Sequence, residues 1–220
     1  MSTTEAIRVL LVDDHEVVRR GLSDLLESTA DLVVAGEAGT VAQALDALQQ
    51  AEFDVAVLDV RLPDGTGIEL CREIQSSNPG LHCLMLTSFA DDEALVDAAI
   101  AGAQGYVSKQ IRGEEITAAI RSVARGQSLM DPGLVRRALE RVRRESEETE
   151  ALNRLSPQEQ RIFELIGEGM SNRQIAGEMY LAEKTVKNYV SNVLMKLGME
   201  RRTEAAALAA RMDERGRRSG

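Results

Sequence analysis

The feature that most constrains this chain is a rhythm in its first stretch of about 125 residues, where short β-rich runs alternate with segments of helical spacing. The strand candidates are Arg8–Val12, Leu32–Gly36, Val55–Asp59, Cys83–Thr87 and Gly105–Ser108. Each is followed by a helix candidate, at about Glu16–Ser28, Thr40–Gln50, Gly67–Asn78, Asp91–Ala101 and Gly113–Arg125. A (βα)5 alternation predicts an α/β domain, with a parallel sheet covered by helices on both faces. Parallel strands buried on both faces should read as unbroken apolar runs, and Val9-Leu10-Leu11-Val12 and Val55-Ala56-Val57-Leu58 do.

In such a sheet, sites form at the carboxyl ends of the strands. Asp13 and Asp14 end the first run and Asp59 ends the third, so the three carboxylates should converge. Packed carboxylates repel unless a cation sits among them, and hard oxygen ligands suit Mg²⁺. The cation would neutralise an incoming phosphoryl group and let Asp59 act as a carboxylate nucleophile. Thr87 and Lys109 end the fourth and fifth strands and offer a hydroxyl and an ammonium where phosphate oxygens would lie. A strand-terminal Asp is ordinarily a turn or capping residue and a single Lys is ordinarily solvated; the coincidence at neighbouring strand ends is what points to a shared site. His15 reads as a surface or helix-start residue and His82 as a strand-edge residue, and neither has a second histidine at zinc-ligand spacing.

The second half has another composition. Residues 1–128 hold 9 Lys/Arg against 21 Asp/Glu, residues 129–150 hold 5 against 6, and residues 151–220 hold 12 against 9. The overall charge of −10 therefore hides an acidic first domain and a basic last one, which suits a module that meets a polyanion. Residues 129–150 read as a charged, partly helical linker; a solvated spacer and a helix that contacts a partner are both open. Beyond it, Ser156-Pro157-Gln158-Glu159 supplies an N-cap, a first-turn Pro and a capping box, and Ser171-Asn172-Arg173-Gln174 repeats the box with Gln. Residues 183–198 then divide on a helical wheel: Val186, Tyr189, Val190, Val193, Leu194 and Leu197 form a core stripe, and Lys184, Lys187, Asn188 and Ser191 line the opposite face. Basic and amide groups together can hold phosphates and read base edges, so the helix at about Asn172–Met179 and this one predict a helix-turn-helix.

These strings resemble known families. Val12-Asp13-Asp14-His15, Leu58-Asp59-Val60-Arg61-Leu62-Pro63-Asp64-Gly65, Leu86-Thr87-Ser88 and Gly105-Tyr106-Val107-Ser108-Lys109 look like a response-regulator receiver domain, of flavodoxin-like fold. That resemblance implies phosphorylation at Asp59, and Mg²⁺ held by Asp13, Asp14, Asp59 and the backbone carbonyl of Arg61. It also implies a switch set of Thr87, Tyr106 and Lys109. Gln110 follows Lys109 where many receivers have Pro, so a cis peptide is not assumed there. Residues 155–198 resemble the four-helix LuxR/NarL-type DNA-binding domain, with Ala182 in place of the usual capping Ser before the recognition helix. The fourth helix, about Thr203–Met212, is Ala-rich, and both a dimer contact and packing within the domain suit it. The order of the whole is that of NarL/FixJ-type transcription regulators, and longer strings resemble the dormancy-type regulators of actinobacteria.

The resemblance implies an activator of stress or hypoxia genes, with a sensor histidine kinase, promoter DNA bearing an inverted repeat, RNA polymerase and a second copy of itself as partners. A regulator that binds DNA without phosphorylation, using the receiver only to dimerise, is the alternative in its class. A phosphoryl-transfer enzyme with slow self-hydrolysis is the alternative outside it. Phosphatases with a strand-terminal Asp nucleophile want a second acid two residues on, and Arg61 stands there, so no turnover enzyme is expected. No apolar run approaches the roughly 18 residues of a membrane span, and the N-terminus lacks a signal pattern, so a cytoplasmic protein without a membrane partner is expected. The two cysteines, Cys71 and Cys83, are expected as buried free thiols.

Overall fold

A computed structural model describes residues 6–87, 92–109 and 112–218. Ser88, Asp91 and Gln110, and with Gln110 the peptide after Lys109, lie outside the described residues. The chain divides into two compact units, residues 1–141 and 142–220.

The first unit runs β1 (Ile7–Val12), α1 (Glu16–Glu27), β2 (Leu32–Ala38), α2 (Val41–Gln50), β3 (Val55–Asp59), β4 (Arg61–Leu62), β5 (Gly65–Thr66), α3 (Gly67–Ser77), β6 (His82–Thr87), α4 (Asp92–Ile100), β7 (Gly105–Ser108) and α5 (Gly113–Ala124). Its five-stranded sheet has the order β2-β1-β3-β6-β7, all parallel. The period of two along each strand sorts the apolar runs onto two faces. Leu10, Val12, Ala56, Leu58, Cys83 and Met85 face one core with Ala44 of α2, Leu70, Cys71 and Ile74 of α3, and Leu95 and Val96 of α4. Val9, Leu11, Val55, Val57, Leu84 and Leu86 face the other, with Leu26 of α1 and Ile116, Ile120 and Val123 of α5. Burying each of the Val, Leu, Ile and Met side chains among them stabilises the fold by roughly 1.5–3 kcal/mol before the cost of ordering it.

Two features go beyond the sequence reading. The segment after Asp59 pairs back on itself as the small β4–β5 hairpin. The stretch read as a charged, partly helical linker, residues 129–150, lies almost wholly in one helix of 22 residues, α6 (Pro132–Asn153). In the first unit its Met130 approach, Leu134 and Ala138 join the α4 core, while Arg137 and Arg141 pair with Asp92 and Asp97 at 2.8 and 2.9 Å. Apolar contact thus lies on one stripe and the charges on the rest, which is why composition alone reads as linker.

The second unit holds the end of α6, then α7 (Pro157–Gly167), α8 (Asn172–Glu178), α9 (Glu183–Lys196) and α10 (Arg202–Arg218). Both predicted capping boxes form, at Ser156/Glu159 and Ser171/Gln174. Ile162, Leu165, Ile166, Ile175, Val186, Val193, Ala205 and Leu208 make its core. A Cβ at Gly167 would lie 2.6 Å from the Ala209 Cβ, so the small residues of α10 serve a close approach to α7 within the unit. Cys71 and Cys83 are both buried and free.

Candidate functional site

The strand register builds the first site. Val12 pairs with Leu58, Asp59 with Leu86 and Thr87 with Ser108, so Asp13, Asp59, Thr87 and Lys109 emerge together at the carboxyl ends of β1, β3, β6 and β7. The strand order reverses between β1 and β3, where open α/β sheets leave a crevice. Asp13 and Asp59 are 1% and 6% exposed, so water can do little to shield them from each other. Lys109 Nζ lies 2.6 Å from Asp13 Oδ2 and 2.7 Å from Asp59 Oδ2. Only the second contact has hydrogen-bond geometry, which leaves Asp13 Oδ2 buried without a hydrogen bond.

Electrostatics follow from the count of charges. Burial pushes the Asp59 carboxyl above its ordinary range; the Lys109 ammonium pulls it back, and the Asp13 charge adds to the push. Burial pulls the Lys109 ammonium down, but Asp13 and Asp59 outweigh it and hold Lys109 above its ordinary range. The two partners are unequal because one ammonium serves two carboxylates, so the pocket keeps an excess of negative charge. Asp14 is exposed, and its carboxylate meets His15 Nδ1 at 2.6 Å. One ligand atom from each of Asp13, Asp14, His15 and Asp59 lies within 4.8 Å of all the others, a spacing that a single cation could bridge.

The floor of the pocket is fixed by its neighbours. His15 N–H donates to Asp13 Oδ1, and Arg19 Nη1 donates to the Asp13 carbonyl at 2.6 Å. A Cβ at Gly67 would fall 2.0 Å from the Asp59 carbonyl oxygen, so α3 can start flush against β3 only with glycine. Arg61 follows on β4, with its N–H 3.5 Å from Asp59 Oδ1. Asp64, in the hairpin turn, accepts the N–H groups of Val41 and Ala42 at 2.8 and 3.0 Å and so caps α2 across the fold. Those two amides hold the Asp64 carboxyl below its ordinary range. Sequence reading missed this clamp, although Leu62-Pro63-Asp64-Gly65 carries the turn residues that could have signalled it. Thr87 is buried, and Tyr106 is half-buried against the α4 core.

The second site is a surface. Lys184, Lys187, Asn188 and Ser191 all lie exposed on α9, opposite the buried Val186, Val190 and Val193. Lys187 Nζ sits 3.5 Å from Glu183, and the Ser191 hydroxyl donates to the Lys187 carbonyl at 3.0 Å, so Ser191 can accept from a partner as it stands but must turn to donate to one. Two anchors set the pose of α9. Lys196 Nζ reaches the buried Glu159 at 2.6 Å and the Arg154 carbonyl at 3.2 Å, and the Tyr189 hydroxyl donates to Gln158. The Lys196 and Ser156 hydrogen bonds hold the Glu159 carboxyl below its ordinary range. As the Ala182 substitution suggested, α9 has no side-chain cap.

Comparison with known proteins matches both halves. The response regulator receiver domain family matches residues 9–121, and the luxR family of bacterial regulatory proteins matches residues 153–209. The chain is 53% identical over 206 residues to the DNA-binding transcriptional activator DevR/DosR of Mycobacterium tuberculosis, covering 94% of this chain and 95% of that one. Among solved structures, the response regulator ChrA of a heme-sensing two-component system aligns with a TM-score of 0.50 at 32% identity, over 95% of this chain and 98% of that one. RcsB, solved as two dimers bound to two parallel DNAs, aligns with a TM-score of 0.54 at 25% identity, over 94% of this chain and 100% of that one.

Proposed function

Because the chain belongs to the DNA-binding two-component response regulators, which join a receiver to a LuxR-type helix-turn-helix domain, we propose that phosphorylation of Asp59 switches it to activate transcription. The observation that carries this reading is the surplus of buried carboxylate at the strand ends, above all Asp13 and Asp59 sharing the single Lys109 ammonium. That donor set fits a hard divalent cation, and we assign Mg²⁺ to Asp13, Asp14, Asp59 and the Arg61 carbonyl. When bound, it supplies positive charge that neutralises the incoming phosphoryl group.

The chain's own residues then have distinct tasks. Asp59 forms the new O–P bond as the P–N bond to a kinase phosphohistidine breaks, and the ring nitrogen keeps the electron pair. Lys109, already 2.7 Å from Asp59, stays as the counter-charge to the phosphoryl oxygens, and the Thr87 hydroxyl turns to donate to one of them. Tyr106, half-buried against the α4 core, follows into the space that Thr87 leaves. The acyl phosphate carries up to about two negative charges in place of the carboxylate's one, enough to reorganise an excess-negative pocket.

The output is promoter binding by a dimer, as the RcsB assembly suggests, with two α9 helices in major grooves about 34 Å apart on an inverted repeat. Lys184 and Lys187 hold phosphates, Asn188 reads base edges, and Ser191 joins them. The DevR/DosR likeness supports an activator that engages RNA polymerase, and dormancy-type stress or hypoxia genes are the targets we assign. No described helix is long and apolar enough to cross a membrane, and a promoter partner supports the reading of a cytoplasmic protein.

The test is fluorescence anisotropy at fixed salt, on a duplex that the protein itself selects from random-sequence DNA. Wild type and Asp59→Ala are titrated with and without Mg²⁺ and beryllofluoride, a phosphoryl mimic. Tighter binding that needs both the mimic and Asp59 is expected. Equal binding in every state would leave a constitutive DNA-binding protein whose receiver only dimerises.

A further inference from the structure

Five helices of the described chain end in the same way. In each, the residue two past the helix adopts a positive φ and donates its N–H to a carbonyl three residues back, while the next N–H reaches five back. This pair of hydrogen bonds closes the helix end, and it requires the left-handed backbone that only glycine adopts without a steric cost. Glycine stands at four of the ends: Gly102 after α4, Gly126 after α5, Gly169 after α7 and Gly198 after α9, with φ between 68° and 91°. After α8 the residue is Tyr180, at φ 56°. Its N–H reaches the Gly177 carbonyl at 3.5 Å, longer than the 2.8–3.2 Å of the glycine ends, while Leu181 N–H closes on Ala176 at 2.9 Å.

An aromatic side chain in this conformation is strained, and strain of this kind persists where something offsets it. Packing of its own ring does not, because Tyr180 is 94% exposed. The exception also falls at one particular place, the turn between α8 and α9, just before Glu183 opens the helix that carries Lys184 and Lys187. In a helix-turn-helix the N-terminal end of the second helix enters the major groove, so the turn before it borders the sugar–phosphate backbone. A tyrosine suits that border, since its ring lies flat against sugar and its hydroxyl can donate to a phosphate oxygen.

We infer that Tyr180 is a DNA-backbone contact, kept in a strained conformation for that purpose. The inference rests on the reading of α9 as the recognition helix. It predicts that stability and binding move in opposite directions at this residue. Asparagine tolerates the left-handed backbone and lacks the ring, so Tyr180→Asn relieves strain and removes the contact.

The experiment uses the full chain with Mg²⁺ and beryllofluoride on the selected duplex, with scanning calorimetry alongside. Tyr180→Asn is expected to raise the melting temperature of the C-terminal transition by about 2–4 °C and to weaken DNA binding about fivefold. Tyr180→Phe, which keeps the ring and loses only the hydroxyl, is expected to weaken binding about twofold. Wild-type affinity for Tyr180→Asn would overturn the inference, and so would wild-type affinity with reduced transcription by RNA polymerase, which would make Tyr180 a protein contact. Lys184→Ala run beside them separates the two claims: if it too binds normally, the recognition-helix reading fails, and if only it weakens, Tyr180 alone is misassigned.

Discussion

The two units carry their chemistry in opposite ways. In the first, the working groups are buried ionisable residues, and Asp13, Asp59 and Lys109 hold one another in a pocket that water barely enters. In the second, Lys184, Lys187, Asn188 and Ser191 stand in solvent on one face of α9, and everything that holds them in place lies behind them. Function and stability are therefore entangled in the pocket and separable on the face. Any change in the pocket alters the electrostatics of folding, whereas a change on the face alters what the protein can touch and little else.

The largest test of that contrast is Lys109→Ala. It leaves two buried carboxylates without a counter-charge, and breaking a buried pair by removing one partner costs about 3–5 kcal/mol. Calorimetry in metal-free buffer should show the first unit's transition falling while the second unit's stays put, with Mg²⁺ restoring part of the loss. A mutant as stable as wild type would break the contrast at its root. Next in size is Asn188→Ala, which should forfeit about 1–3 kcal/mol of discrimination at one base position with no change in either transition. Binding to single-substitution duplexes measures it, and a shifted melting curve would show that the face is not separable after all.

Ser156→Ala sharpens the comparison from behind the face. It removes half a capping box and should cost about 1 kcal/mol, read as a lower melting temperature for the second unit with base discrimination unchanged. Acid provides a signed version of the same test. Asp59 titrates above its ordinary 3.8 because it is buried, so the folded chain takes up that proton first. In metal-free buffer its contribution to stability grows as pH falls from above the folded value towards 3.8. Glu159 is held below its ordinary 4.5, chiefly by Lys196, so its contribution is full above 4.5 and is lost as pH falls through the folded value. Asp59→Asn and Glu159→Gln should therefore change the pH slopes of their own units in opposite senses; slopes changed in the same sense would contradict both assignments. The smallest effect is a gain: Ala182→Ser supplies the missing cap of α9 and should stabilise the second unit by about 0.5–1 kcal/mol.

Much of this arrangement was legible in the residues. Continuous runs such as Val9–Val12 can be satisfied only between two layers of helices, and the strand register then fixes Asp13 beside Asp59. The capping boxes at Ser156 and Ser171 were equally plain, because their signal lies within four residues. What escaped reading depends on contacts between residues far apart in the chain. Leu134 and Ala138 look like stray apolar residues in a charged stretch until α4 is beside them. Lys196 looks like one more lysine of α9 until Glu159, 37 residues earlier, meets it. Tyr180 gives no pattern at all, since a positive φ is a property of the folded turn and the usual marker, glycine, is absent.

The Asp64 clamp has a consequence for speed. Both its oxygens are engaged by the first amides of α2, so the turn after Asp59 is pinned at its far end before any ion arrives. On that side of the pocket the backbone is already in place, so whatever enters meets a formed turn. Any slow step in a response would then have to lie elsewhere than in the ordering of this turn.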